Sequence, residues 1–226
     1  MSELSAAARL SHDVVAAARS TVGVPDQSLD GMAVLKVLAD ILRAVDGGDL
    51  ALLTLLDLSA AFDTVDHAIL LRRLNESYGL GGCVHGWFVS YLNRRTQFVR
   101  CGAFRSISTV MVCGVPQGSV LGPILFLLYT ADLLRLVETH GLRPHLFADD
   151  SQIYGHCRPN STTQLQSDMS ACIDNVASWM RSNRLQLNAS KTEVLWCTSS
   201  RRQHQLLIEP LRPSLLGYRN PGPVRS

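Results

Sequence analysis

Three aspartates and one glycine-rich loop stand out in this chain of 226 residues as groups that could act together. Asp57 lies at the end of the apolar run Leu50 to Leu58. The pair Asp149-Asp150 separates the apolar segments His145 to Phe147 and Ser151 to Tyr154, and the loop Gly114-Val115-Pro116-Gln117-Gly118-Ser119 opens another apolar stretch. Taken singly, each aspartate also fits a hairpin turn or a helix cap. An unpaired carboxylate against a core is costly, however, and a divalent cation removes that cost. Several carboxylates brought together at strand ends make a hard oxygen site suited to Mg²⁺. Two such ions about 3.5 to 4 Å apart can serve an in-line phosphoryl displacement, one on the attacking oxygen and one on the leaving oxygen. In the loop, glycine permits close backbone approach to a ligand, and a helix starting just after it offers N–H groups to a phosphate or base.

The alternation of helix and strand patterns around these groups points to an α+β domain. Apolar residues at helical spacing run from Met32 to Val45, and Gly47-Gly48 stops them. Leu50 to Leu58 is nearly all apolar and reads as a strand buried on both faces. Asp66 can cap a helix through about Ser77, with Gly79 past its end. A short helix around Trp87 to Leu92 leads to strand-like segments at Thr96 to Cys101 and Ile107 to Cys113. A helix is expected from about Leu121 to Leu136, followed by a hairpin with Asp149-Asp150 at its turn. Leu165, Met169, Cys172, Ile173, Val176 and Met180 trace the buried stripe of a further helix. A last strand covers Glu193 to Cys197.

Composition bounds the rest. With 46% hydrophobic and 18% charged residues the chain is globular, long enough to bury a core without staples. Its six cysteines are scattered, which reads as reduced thiols without zinc or disulfides. No secretory signal opens it and no apolar run approaches the roughly 20 residues of a membrane span, so a soluble intracellular chain, nuclear or cytoplasmic and without a membrane partner, is expected. A net charge of +2 permits a nucleic-acid partner without pointing to one. A homo-oligomer is compatible with this composition.

The motifs resemble a known family. Leu55-Leu56-Asp57-Leu58-Ser59-Ala60-Ala61-Phe62-Asp63 is similar to motif A of the reverse transcriptases of non-LTR (LINE-type) retrotransposons. Gly114 to Pro123 resembles their motif B, Phe147-Ala148-Asp149-Asp150 motif C, and Asn188-Ala189-Ser190-Lys191-Thr192-Glu193 motif D, the whole looking nearest to CR1-like elements. The resemblance implies a right-hand polymerase palm, a ferredoxin-like antiparallel sheet with helices on one face, plus partial fingers and no thumb. It implies residues 1–30 as a divergent segment, 31–205 as palm with partial fingers, and 206–226 as an irregular tail rich in Pro and Arg.

It also implies roles. Asp57 and Asp149 would ligate two Mg²⁺ ions, with Mn²⁺ a substitute, the Leu58 carbonyl assisting and Asp150 as third carboxylate. A primer 3′-hydroxyl would attack the α-phosphate of a dNTP. Phe62 matches the aromatic gate under the sugar, although a core aromatic is the plainer alternative. Pro116, Gln117 and Gly118 would meet the nucleotide or template. Lys191 matches a lysine that protonates or neutralises the leaving pyrophosphate, and could equally be a solvated bystander. Arg94, Arg95 and Arg100, interleaved with Tyr91 and Phe98, form the best cluster for nucleic-acid backbone contacts, or else a solvated turn.

The family's basic fingers stretch finds no match in Thr21 to Met32, and the resemblance fades after about Gln205. The expectation is therefore an RNA-directed DNA polymerase module acting on an RNA template and DNA primer, with weak binding and poor processivity. The alternative is an inactive remnant that folds as a palm and at most binds nucleic acid weakly. A nucleotide cyclase is disfavoured, because Gly47-Gly48-Asp49 sits where a helix ends.

Overall fold

The computed structural model describes residues 30–116, 118–147 and 150–199. In chain order these form helix α1 (Asp30–Asp46), strands β1 (Leu50–Leu56) and β2 (Leu58–Ser59), helices α2 (His67–Glu76) and α3 (Gly82–Leu92), and the short strands β3 (Thr96–Gln97), β4 (Arg100–Cys101), β5 (Phe104–Arg105) and β6 (Thr109–Val110). Helices α4 (Leu121–Thr130) and α5 (Asp132–Glu138), strands β7 (Arg143–Phe147) and β8 (Asp150–Cys157), helix α6 (Thr162–Ser182), and strands β9 (Gln186–Leu187) and β10 (Glu193–Cys197) follow. Among the described residues, Ala60–Thr130 makes one compact unit, and residues 30–59 with 131–199 make the other.

The second unit is built on a four-stranded sheet of order β10-β1-β8-β7, antiparallel throughout. Counted along the chain these strands run first, second, third and fourth as β1, β7, β8 and β10, which is the strand order of a ferredoxin-like sheet. Successive residues of β1 face opposite ways. Leu52 pairs with Gly155 of β8, where a Cβ would meet Leu165 of α6 at 2.9 Å. That face rests on α6, whose buried stripe is Leu165, Met169, Cys172, Ile173, Val176, Ala177 and Met180. The Leu, Ile, Val and Met side chains of that stripe are each worth about 1.5 to 3 kcal/mol of burial, so α6 anchors the sheet. Ala51 and Tyr154 face the other way and pack with Val37 and Ile41 of α1, joined by Val45 and Leu53.

Helices therefore cover both faces of the sheet, which corrects the one-face layout implied by the family resemblance. The physical reason lies in β1 itself: Leu50, Leu52, Thr54 and Leu56 are buried on one face, while Ala51 is buried and Leu53 half-buried on the other, so each face takes a cover.

The other unit is a small helical assembly. Asp66 caps α2, its Oδ1 accepting from Ile69 N at 3.0 Å. Leu70 and Leu74 of α2 are buried, as are Leu125, Phe126, Leu128 and Tyr129 of α4. The Tyr78 hydroxyl donates to the Leu128 carbonyl at 2.9 Å, and Arg73 donates to the Tyr129 carbonyl. Helix α3 begins at Gly82, earlier than its apolar residues suggest. The segments expected at Thr96 to Cys101 and Ile107 to Cys113 are broken into two short pairs, β3 with β6 and β4 with β5.

The expected single helix from Leu121 to Leu136 is two helices. Thr130 explains the break: its hydroxyl donates to the Phe126 carbonyl at 3.0 Å, an i−4 back-bond of the kind that bends helices. Among the described residues, no helix is long and apolar enough to cross a membrane.

Candidate active site

Asp57 stands between β1 and β2 with its side chain 31% exposed. The ladder of β1 with β8 ends at the pair Leu56↔Ser151, and β7 pairs with β8 through Phe147↔Asp150. One residue further along that register come Asp57 on one strand and Asp150 on the other. The topology thus carries the end of β1 and the start of β8 to the same edge of the sheet. Asp149 lies outside the described residues and Asp150 enters through its backbone, so the convergence of three carboxylates stays an expectation. Among the described residues no three His, Cys, Asp or Glu side chains gather as metal ligands.

What surrounds Asp57 is well defined. Asn188 donates its backbone N–H to the Asp57 carbonyl at 2.8 Å and its Nδ2 to Asp57 Oδ2 at 3.0 Å. Lys191 brings Nζ to 3.7 Å from the same oxygen, with its own side chain 68% exposed. Leu58 is buried and pairs with Leu187 of β9. Because the Asn188 N–H bonds to the Asp57 carbonyl beside that pair, Leu58↔Leu187 is the non-hydrogen-bonded kind, and the Leu58 carbonyl is left out of the β2–β9 ladder. The carboxylate, that carbonyl and the open approach of Asp57 are hard oxygen chemistry that suits a divalent ion. Sequence reasoning saw Lys191 but missed Asn188. A side chain that can both donate and accept, three residues before that lysine, was the available signal.

The helical unit holds the remaining candidates. Phe62 is half-buried and lies 5.1 Å, centroid to centroid, from Phe126 at 40°. Its carbonyl accepts from Val115 N at 2.8 Å, Val65 O accepts from Gly114 N at 2.8 Å, and His67 Nε2 bonds the Gly114 carbonyl at 2.7 Å. The Gly114-Val115-Pro116 segment is thus strapped to the loop carrying Phe62. Gly114 has φ 90°, and a Cβ there would meet the Asp63 carbonyl oxygen at 3.0 Å, so the strap needs glycine.

After Pro116, the Ser119 hydroxyl donates to Pro116 O at 2.7 Å and accepts from Gly122 N at 3.0 Å. That one N–H of the first turn of α4 is therefore taken up by Ser119. Gly118 is exposed, with φ 73°. Gln117 lies outside the described residues.

Arg94 and Arg95 follow α3 and Arg100 lies on β4, away from the Phe62 loop along the chain. Arg94 is exposed with φ 57°. Arg95 stands 4.9 Å above the Tyr91 ring, which in turn stacks on Trp87 at 5.2 Å. Arg105, which sequence reasoning passed over, covers the Phe98 ring at 3.7 Å, while Phe104 beside it is 82% exposed. The signal was present: no acidic residue occurs between Glu76 and Asp132, and that stretch holds Arg94, Arg95, Arg100 and Arg105.

Residues 18–219 match the family model described as reverse transcriptase (RNA-dependent DNA polymerase), and the chain belongs to that family. It is 32% identical over 158 residues to a probable RNA-directed DNA polymerase from transposon BS of Drosophila melanogaster, covering 67% of this chain and 17% of that protein. It is 31% identical over 171 residues to the one from transposon X-element of the same fly, covering 74% and 18%. The chain thus spans less than a fifth of the length of these curated relatives. Within the family it is a domain of the LINE type, as the resemblance of its motifs to non-LTR elements implied. Among solved structures, an apo telomerase from Candida tropicalis truncated of its C-terminal domain shares the fold, with a TM-score of 0.63 at 14% identity over 87% of this chain and 41% of that one.

Proposed function

We propose that the chain is an RNA-directed DNA polymerase module that extends a DNA primer with dNTPs on an RNA template. The observation that carries this reading is the sheet register that brings the end of β1, with Asp57, and the start of β8, with Asp150, to one edge. Relatives named as RNA-directed DNA polymerases support RNA as the template.

Asp57, Asp149 and Asp150, with the Leu58 carbonyl, would hold two divalent ions, Mg²⁺ or Mn²⁺. Such ions, when bound, neutralise phosphate charge and favour an ionised hydroxyl. The chain's own residues do the rest. Phe62, backed by Phe126, presents a flat apolar surface of the kind on which a deoxyribose can rest. Pro116, Gln117 and Gly118 would contact nucleotide or template, and the strap holds Gly114 and Val115 just ahead of them. Lys191 can offer a proton or a positive charge to the departing pyrophosphate. Arg94, Arg95 and Arg100 would bind backbone phosphates, Arg95 being held over the Tyr91 ring.

The test is extension of a DNA primer annealed to RNA, with Mg²⁺ or Mn²⁺ and with neither. Wild-type chain is expected to add dNTPs only with metal, and Asp57→Asn or Asp149→Asn to lose at least ~100-fold in rate. Salt-sensitive binding of primer-template without extension above the Asp149→Asn level would establish the inactive remnant instead.

A further inference from the structure

The structure assigns Asn188 as the positioning residue for Asp57, a role that rests on the polymerase reading of that aspartate. Asn188 follows β9 directly and grips Asp57 at two points, through its backbone N–H on the carbonyl at 2.8 Å and through Nδ2 on Oδ2 at 3.0 Å. A carboxylate only accepts hydrogen bonds, whereas a side-chain amide has one donating and one accepting end, so the amide must be turned the right way. Asp57 itself fixes that turn, because its carboxylate takes only the donating end, and the Ser190 hydroxyl completes the arrangement by donating to Asn188 Oδ1 at 2.7 Å. The loop then closes on the Asn188 carbonyl, which accepts from Lys191 N at 3.1 Å and from the Thr192 hydroxyl at 3.0 Å.

The consequence is a division of the Asp57 carboxylate. Oδ2 is tied to a neutral donor that leaves the charge in place, and Oδ1 has no hydrogen-bond partner among the described residues. One rotamer is held, and one oxygen is presented. Lys191 reaches the same Oδ2 at 3.7 Å from a largely exposed side chain, where solvent screens the pair and its geometry is loose. Asn188, rather than Lys191, therefore sets where the carboxylate points. Outer partners of metal ligands act in this way, and their loss typically costs 10- to 100-fold in metal affinity or activity.

Removal of the side chain leaves the backbone bond to Asp57 intact, so substitution separates positioning from folding. The full chain is titrated with Mn²⁺, free ion being followed by electron paramagnetic resonance, and primer extension gives kcat and the KM for dNTP. Asn188→Ala is expected to weaken Mn²⁺ binding ~10-fold and to lower kcat ~10- to 100-fold, with KM within about twofold of wild type. Asn188→Asp keeps the shape but replaces the donor with a second negative charge, and is expected to lose at least as much in kcat. Ser190→Ala, which removes the hydrogen bond supporting the amide from behind, shifts the same quantities in the same direction by less.

Asn188→Ala with Mn²⁺ affinity and kcat both within twofold of wild type overturns the role. So does an Asn188→Asp chain that matches wild type in kcat. The two readings separate cleanly. Wild-type chain that binds Mn²⁺ but never extends a primer removes the polymerase reading, and the Asn188→Ala comparison on Mn²⁺ still decides the positioning role. Wild-type chain that extends primers as well as Asn188→Ala does removes the positioning role alone. Wild-type chain that binds no Mn²⁺ removes both.

Discussion

Asp40 shows how single charges are used away from the candidate site. It lies on α1 and accepts from the Tyr154 hydroxyl at 3.0 Å, from Arg43 at 2.6 Å and from Arg143 at 3.2 Å, so one carboxylate ties the helix to β7 and β8. Burial acts to raise its pKa, but the Tyr154 hydroxyl and the two guanidinium groups outweigh it and hold the carboxyl below its ordinary range. The unfolded chain then binds the more protons in acid, so the stability Asp40 contributes is present above the unfolded pKa of about 4 and is lost as pH falls through the lower folded value. Urea midpoints measured from pH 6 down to pH 3 are expected to fall less steeply for Asp40→Asn than for wild type. Equal slopes would mean that the cluster does not hold in solution.

At the scale of elements, the entry to α4 is the most exacting turn. A Cβ on Gly122 would sit 2.5 Å from the Pro116 carbonyl oxygen, backbone that cannot swing aside. Gly118, by contrast, has nothing within 4 Å of an added Cβ and only its φ of 73° to accommodate. Gly122→Ala is expected to cost about 1 to 3 kcal/mol by overpacking, and Gly118→Ala about 1 kcal/mol from backbone strain. Denaturant unfolding of the two variants ranks them, and a Gly118→Ala chain less stable than Gly122→Ala would contradict this account.

Much of this architecture was legible in the sequence. The stripe of α6 reads off as Leu165, Met169, Cys172, Ile173, Val176 and Met180, all buried, and β10 has the bounds its residues suggest. Periodicity carries such information because one face repeats over several turns. Strands β2 and β9 are two residues each, too short for any period, and the clamp on Asp57 was hidden with them. The break between α4 and α5 falls at Thr130-Ala131-Asp132, where two polar residues interrupt the apolar pattern without any glycine or proline to announce a stop. In β1 the residues themselves read correctly as buried on both faces. The one-face sheet came instead with the family resemblance.

For the molecule as a whole, charge is segregated more than its sum suggests. The net +2 hides a stretch from Ser77 to Ala131 with four arginines and no acidic residue, which leaves the remainder at −2. An electrostatic footprint depends on such local excess rather than on the total. Each phosphate contact contributes about 0.7 to 0.9 to the slope of log affinity against log salt concentration. Arg100→Ala and Arg105→Ala are each expected to lower that slope by about this amount for a primer-template, regardless of its sequence. A slope unchanged in both variants would show that these arginines do not reach phosphate.

The pairing of β1 with β8 has a consequence for the chain as it is being made. Leu56 meets Ser151 and Leu50 meets Cys157, partners separated by 95 and 107 positions. At about 5 to 20 residues per second, β1 leaves the ribosome some 5 to 20 s before its neighbour exists. Through that interval the stretch Leu-Ala-Leu-Leu-Thr-Leu-Leu, uncharged and without proline, is an unpaired sticky strand of the kind that seeds aggregates. Until translation reaches β8 it has no neighbour in the sheet, and the helical unit encoded between the two strands has that same delay in which to fold first.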